Sequence, residues 1–337
     1  MTVRIGFIGC GLIARMHTRR LADVSDADIV AVHDVDPERQ AKFAIDHDAV
    51  EVASADEVVE AADAVYVTTW TAAHPALVSL VVGAGKPIFC EKPLGIDLAT
   101  AQAMTDEVTA AGLVNQVGLV LRHSPAFRWM QHQVQSGEFG PPMSMVFRDD
   151  QYIPVQGMYG STWRGDVAKA GSGTLLEHSI HDLDLIEWIM GPITSVNCRT
   201  ANFHGIDGIE DQATVILETA TGAQATLSST WHDILKRPSL RHVEAFCQGG
   251  YFGLEGDWVG PIARELPSAD KEIWHGDDVI ALAGELDGRG SNPDADFVHA
   301  VMTGSPSAPD FRTALRAHVL ADAAYRSATA GGAPIEV

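Results

Sequence analysis

No run of about eighteen apolar residues, the length a membrane-spanning helix needs, occurs in this 337-residue sequence. No membrane span is therefore expected. Basic residues are scarce as well: 23 Lys and Arg stand against 45 Asp and Glu, a formal net charge of -22. A nucleic-acid partner needs a basic footprint, and docking on an anionic membrane surface needs basic clusters. Neither partner is expected, and the acidity reads as a solubility feature. The four cysteines, Cys10, Cys90, Cys198 and Cys247, form no C-x-x-C pair, so the usual signature of a zinc site or a redox dithiol is missing. Cys10 and Cys90 read as small buried thiols. The opening residues Met1-Thr2-Val3-Arg4-Ile5-Gly6 enter a strand at once, without the charged leader and apolar stretch of a signal peptide. A reducing cytoplasm is the expected compartment. There is no internal repeat and no low-complexity tract.

What is present fits a globular protein: 46 % hydrophobic and 20 % charged residues, in a chain long enough for two domains with sizeable cores. Residues 1–121 alternate strand and helix. Strands are predicted at Val3–Ile8, Ile29–His33, Ala64–Thr68, Pro87–Cys90 and Val114–Leu119. Helices are predicted at Leu12–Leu21, after the cap Asp36 with Pro37 at the first position, at Ala72–Val82 and at Leu98–Ala111. Glycines at 83, 85 and 112 close the last two. Such alternation implies a parallel sheet covered on both faces. From Met143 the pattern changes to longer strands, at Met143–Asp149, Val196–Phe203, Ala213–Glu218, Ala223–Ser229 and His242–Gln248, with turns at Gly222 and Gly249-Gly250. One helix, about Gly173 to Met190, interrupts them, and two helices near Ala295–Met302 and Arg312–Ala328 close the chain. The expected fold class is an α/β Rossmann domain (1–121) plus an α+β domain (122–337) with an open, mostly antiparallel sheet, the last helix packing back on the first domain.

Three motifs carry chemistry. The turn Gly9-Cys10-Gly11-Leu12-Ile13-Ala14 follows a strand and opens a helix. Its glycines let backbone approach a pyrophosphate, and the helix N-terminus offers free N–H groups to it. Asp34, twenty-five residues after Gly9, ends the second strand, where a carboxylate accepts hydrogen bonds from ribose hydroxyls and repels a 2′-phosphate. NAD is expected over NADP, with Arg39 nearby as the qualification. Glu91-Lys92-Pro93 closes a later strand. An ammonium at that edge of the sheet can hydrogen-bond a reacting oxygen; a solvated lysine or a pair with Glu91 is the competing reading. Glu177 and His181 lie four apart on the predicted helix and so share a face. A neutral imidazole there can take the proton of a substrate hydroxyl; a structural Glu–His pair competes, and a metal is not expected. Arg122, His123, Trp163, Arg164 and Lys169 fall near the expected domain boundary as candidates for reading a polyol or an acidic sugar. His17, His47, His132 and His318 are given no role.

These motifs, in this order, resemble the glucose–fructose oxidoreductase / inositol dehydrogenase (Gfo/Idh/MocA) family over essentially the whole chain. The anchors are the glycine turn, Ala84-Gly85-Lys86-Pro87 leading to Cys90-Glu91-Lys92-Pro93, Gly118 to Arg122, and Gly171-Ser172-Gly173-Thr174-Leu175-Leu176-Glu177 continuing to His181 and Asp184. The resemblance implies catalytic Lys92, Glu177 and His181. It places the cofactor on Gly9, Gly11, Leu12, Ile13, Ala14, Asp34, Thr69, Trp70, His74, Glu91 and Lys92. It places substrate on Lys92, Arg122, Trp163, Arg164, His178 and His181. Glu177 stands where the family usually has Asp, Thr69-Trp70 where it often has Pro-Asn, and Ser172 interrupts the usual glycine triplet. The implied activity is NAD-dependent oxidation of a secondary hydroxyl of a sugar, cyclitol or related polyol, in a homodimer or homotetramer. A redox-neutral enzyme that retains NAD and a non-catalytic NAD-binding regulator are the alternatives.

Overall fold

The computed structural model describes residues 2–157, 159–288 and 290–337. The chain divides into two compact units. The first takes the chain through Leu119, together with Ala168–Gly171 and Asn292–Leu315; the second takes Val120–Val167, Ser172–Ser291 and Arg316–Val337.

Six parallel strands build the first unit: β1 (Val3–Ile8), β2 (Ala27–His33), β3 (Val50–Glu51), β4 (Ala64–Val67), β5 (Ile88–Cys90) and β6 (Asn115–Val117), in the order β3-β2-β1-β4-β5-β6. Short apolar runs form the central strands because both faces are covered; all four residues of β4 and all three of β5 are buried. The order reverses direction between β1 and β4, and in such sheets ligands bind at the carboxyl ends of the strands beside that reversal. The glycine turn, Asp34, Thr68 and Glu91-Lys92 are the residues that follow β1, β2, β4 and β5. β3 and the helix Ala55–Ala61 are additions to the elements predicted. The helix is capped by Ser54, which accepts the Glu57 N–H, a short polar-rich signal that apolar periodicity does not reveal.

An aromatic ladder crosses this sheet. Phe7, Tyr66 and Phe89 are direct register partners on β1, β4 and β5, and their rings stack at 4.7 Å for both neighbouring pairs. Phe297, on the helix Pro293–Thr303, meets Tyr66 and Phe89 edge-on at 5.5 and 5.7 Å. Offset stacking with an edge-on closure suits the ring quadrupoles.

The second unit is a nine-stranded sheet of β7 (Pro142–Tyr152), β8 (Ile193–Ala201), β9 (Gln212–Thr219), β10 (Gln224–His232), β11 (Leu240–Cys247), β12 (Gly250–Glu255), β13 (Ile262–Glu265), β14 (Glu272–Trp274) and β15 (Ile335–Glu336). Its order is β14-β13-β12-β11-β7-β10-β9-β8-β15, and every pairing is antiparallel except that of β7 with β10. Strict burial alternation along β9 marks a sheet with one face in the core. The helix Ile180–Met190 lies against β7 and β10 on that face.

The single helix expected over 173–190 is two: Thr174–Glu177 and Ile180–Met190. The break has a polar cause. The N–H of His178 and that of Ser179 both turn back to the Thr174 carbonyl, at 3.1 and 2.8 Å. The Ser179 hydroxyl is drawn to Ser229 of β10 and Asp149 of β7, at 2.6 and 3.3 Å. Glu177 and His181 therefore belong to different helical segments. The helices Pro125–Gln135 and Asp277–Asp287 and strands β12 to β14 were not predicted. No helix among the described residues is long and apolar enough to cross a membrane.

Truncating Phe89 to Ala removes the middle contact of the aromatic ladder and leaves a cavity. A loss of about 3–5 kcal/mol in unfolding free energy is expected, measurable by urea denaturation; a loss under about 1 kcal/mol would mean the ladder is not a packing element.

Candidate active site

In the first unit the site begins at a squeezed turn. Gly9 has φ +96°, and a Cβ there would lie 2.7 Å from the Thr68 carbonyl oxygen; no other residue fits. Its N–H donates to the His33 carbonyl (2.8 Å) and its own carbonyl accepts from the Thr68 hydroxyl (2.6 Å). Gly11 instead borders open space. It caps the helix Leu12–Leu21 with no side-chain hydrogen bond, leaving first-turn N–H groups for an anion. Ala14 is buried, whereas Leu12 is exposed and Ile13 half-buried.

Asp34 pins this turn. One carboxylate oxygen accepts the Cys10 N–H at 2.7 Å and the other the Asp36 N–H at 2.9 Å. Each oxygen keeps a lone pair for a ribose hydroxyl. Arg39 is half-exposed, 3.5 Å from Asp34 and 3.3 Å from Asp36, so its charge is shared between two aspartates. The Cys10 thiol is pushed up to about 12 by burial and then by the Asp34 charge, and is inert. A tight glycine wedge, an uncapped helix start and an acid at the end of β2 fit a dinucleotide.

Thr69 and Trp70 are half-buried in the loop after β4. His74 is buried; its Nδ1 lies 3.0 and 3.2 Å from the carbonyls of Pro93 and Leu94, and its Nε2 3.3 Å from that of Thr69. Burial lowers its pKa despite those carbonyls, so His74 is a neutral clamp between the Thr69 loop and the segment after Lys92. Lys92 is half-buried, and its backbone N–H donates to Glu91 at 3.1 Å.

In the second unit Glu177 is almost fully buried and bound by Arg164 at 2.5 Å. The Arg164 guanidinium is stacked on Trp163, 4.5 Å from the ring centroid. Arg122 is held in a two-point pair with Asp184 at 2.8 and 2.7 Å, and it lies over Trp188. His123 is buried; Lys169, which belongs to the first unit, is exposed in the short helix Val167–Ala170. The arginines expected to meet substrate are thus already engaged by protein carboxylates. His181 is buried in the first turn of Ile180–Met190. His178 lies in the helix break, with Nε2 2.8 Å from Asp149 and 3.2 Å from Arg241.

Two groups behind these residues had no local signal. Glu210 caps the short helix that carries Glu177, accepting the N–H groups of Gly173 and Leu175 at 2.8 and 2.9 Å and the Tyr325 hydroxyl at 2.9 Å. A Cβ at Gly173 would come within 1.8 Å of the Glu210 carbonyl oxygen. The second is a buried network. Arg241 of β11 reaches Asp182 (2.6 Å), Asp149 (3.3 Å) and Asp257 (3.0 Å). Asp149 Oδ1 and Asp182 Oδ2 find no N–H or O–H donor, and both acids are buried against the one Arg241. Two such acids share a proton. Burial foremost, then the neighbouring Asp149 carboxylate, raises Asp182 to about 7 against the pull of Arg241.

Unfolding frees Asp182 to titrate near its ordinary value of 3.8. Between about pH 4 and 7 the folded chain holds a proton that the unfolded chain has lost, so stability falls as pH rises through that window. Asp182→Asn keeps a donor toward Asp149 at all pH. Urea midpoints measured across pH 4–8 are expected to slope less steeply downward for the variant; equal slopes would show that the pair does not share a proton.

Residues 3–119 match the profile described as "Oxidoreductase family, NAD-binding Rossmann fold", and residues 127–252 match the "GFO/IDH/MocA C-terminal domain". An inositol 2-dehydrogenase of Burkholderia lata is 34 % identical over 235 residues, a stretch spanning 66 % of this chain and 66 % of that one. An inositol 2-dehydrogenase of Rhizobium meliloti is 29 % identical over 347 residues, 97 % of each. The structure of a levoglucosan dehydrogenase with NADH and levoglucosan superposes with a TM-score of 0.88 at 20 % identity, covering all of both chains; it shares the fold. The chain belongs to the Gfo/Idh/MocA family of NAD-binding oxidoreductases.

Proposed function

We propose that this protein is an NAD-dependent dehydrogenase that oxidises a secondary hydroxyl of a cyclitol, a sugar or a related polyol, with inositols the first candidates. The first domain binds the dinucleotide and the second the polyol. The observation that carries the reading is a dinucleotide cradle whose acid, Asp34, already pins the glycine turn, in the same sheet as a lysine whose backbone is fixed by a buried carboxylate. Kinship with inositol 2-dehydrogenases supports the substrate class.

NAD supplies the hydride acceptor. The glycine turn and the uncapped helix Leu12–Leu21 hold its pyrophosphate and Asp34 a ribose. Thr69 and Trp70 line the loop beyond them. Lys92 hydrogen-bonds the substrate oxygen and stabilises the charge that develops on it. His181 accepts the hydroxyl proton. Glu177, buried and paired with Arg164, fixes the short helical segment that precedes His181.

Purified protein assayed against inositols, sugars and sugar acids is expected to form NADH in proportion to ketone, and more readily than NADPH. Substrate turnover without NADH release would replace this reading with cofactor-retaining chemistry. Lys92→Met is expected to lower kcat by about 10²–10³-fold, and His181→Ala by about 10²–10⁴-fold. Wild-type turnover in either variant would remove that residue from the mechanism.

A further inference from the structure

His17, given no role on sequence grounds, stands in a buried charged cluster of the first unit. It is 1 % exposed on the helix Leu12–Leu21. Its Nδ1 lies 2.7 Å from Asp294 Oδ1 and its Nε2 3.0 Å from Glu91 Oε1. A neutral imidazole donates from one nitrogen only; two carboxylates at these distances call for two N–H donors, the imidazolium. Burial opposes that charge, and Asp294 and Glu91 together more than offset it, holding His17 up at about 9. Arg20 lies 3.8 Å from the second Asp294 oxygen. The Tyr66 phenol beside it is kept protonated by burial and then by the Asp294 charge.

The cluster ends on the catalytic lysine. Glu91 Oε2 accepts the backbone N–H of Lys92 at 3.1 Å. The carboxylate has room because residue 118 is glycine: a Cβ there would lie 2.3 Å from Oε1 and 2.6 Å from the carboxyl carbon. Gly118 follows β6, and its N–H donates to the Cys90 carbonyl at 2.9 Å. It is locked in place and cannot retreat from a larger neighbour.

We infer that Asp294, His17 and Glu91, with Gly118 as the seat of the Glu91 carboxylate, form a positioning relay. It ties the backbone of Lys92 to the helix whose N-terminus faces the pyrophosphate. None of the three touches the reacting atoms; they fix where the Lys92 side chain departs from the sheet. The inference rests on the role proposed above for Lys92.

Gly118→Ala tests it without deleting any hydrogen-bonding group. Expected is a fall in kcat of about tenfold or more, with KM for polyol and calorimetric NAD affinity within about twofold, the signature of misplacement. In the absence of substrate and cofactor, the His17 imidazole, followed by NMR, is expected to titrate near 9 in the parent and lower in the variant. Glu91→Ala should lose at least as much kcat, and adding Gly118→Ala to it should cost nothing further, because no carboxylate is left to displace. Additive losses, or an unchanged kcat in a Gly118→Ala protein whose His17 titration has moved, would overturn the relay. Should Gly118→Ala fail to fold, Asp294→Asn reaches the same chain of contacts from its far end. There, too, lowered His17 titration with unchanged kcat overturns it. The underlying reading is checked separately: a fully active Lys92→Met protein sinks both proposals, whereas an inactive one beside unaffected relay variants sinks the relay alone.

Discussion

A buried carboxylate must be surrounded by donors, and in this protein glycine makes the room for them. Glu91 fits because nothing projects from Gly118. The Glu210 segment fits against Gly173, whose N–H its side chain also receives. At both places the acid fixes the backbone of a segment that carries a candidate site residue: Lys92 in one unit, Glu177 in the other. Taking an acid out of water is expensive unless several hydrogen bonds meet it. That cost makes the geometry specific, since a displaced carboxylate would lose several partners at once. Each of these two segments is thus positioned by a carboxylate's need for hydrogen bonds.

How much of this was legible depended on distance along the chain. The glycine turn, Asp34 and the strand-helix alternation were readable because their determinants are local: a φ that only glycine adopts freely, an acid at a strand end, an apolar run of strand length. The second sheet was readable as strands and turns, although its four short strands after β11 were not. The helix over 173–190 was misjudged because periodicity is blind to what Ser179 finds across the core, Ser229 and Asp149 on two different strands. His17 looked ordinary because Asp294 lies 277 residues away. Asp149, Asp182 and Arg241 come from three separate elements, and no spacing rule joins them.

The family membership narrows the chemistry further than the fold does. A doubly wound sheet with an acid at the end of its second strand serves many oxidoreductases; the matches to both family profiles place this chain among the Gfo/Idh/MocA oxidoreductases. The engagement of Arg122 by Asp184 and of Arg164 by Glu177 shifts attention away from cationic capture of an acidic substrate.

The return of Asn292–Leu315 to the first unit has a consequence for how the chain is made. Phe297 closes the aromatic ladder and Asp294 completes the charge cluster around His17, yet both emerge from the ribosome long after β6. The dinucleotide-binding unit therefore cannot mature vectorially, as an N-terminal domain ordinarily does. It must wait, with a face of its core uncovered, while eight of the nine strands of the second sheet are synthesised.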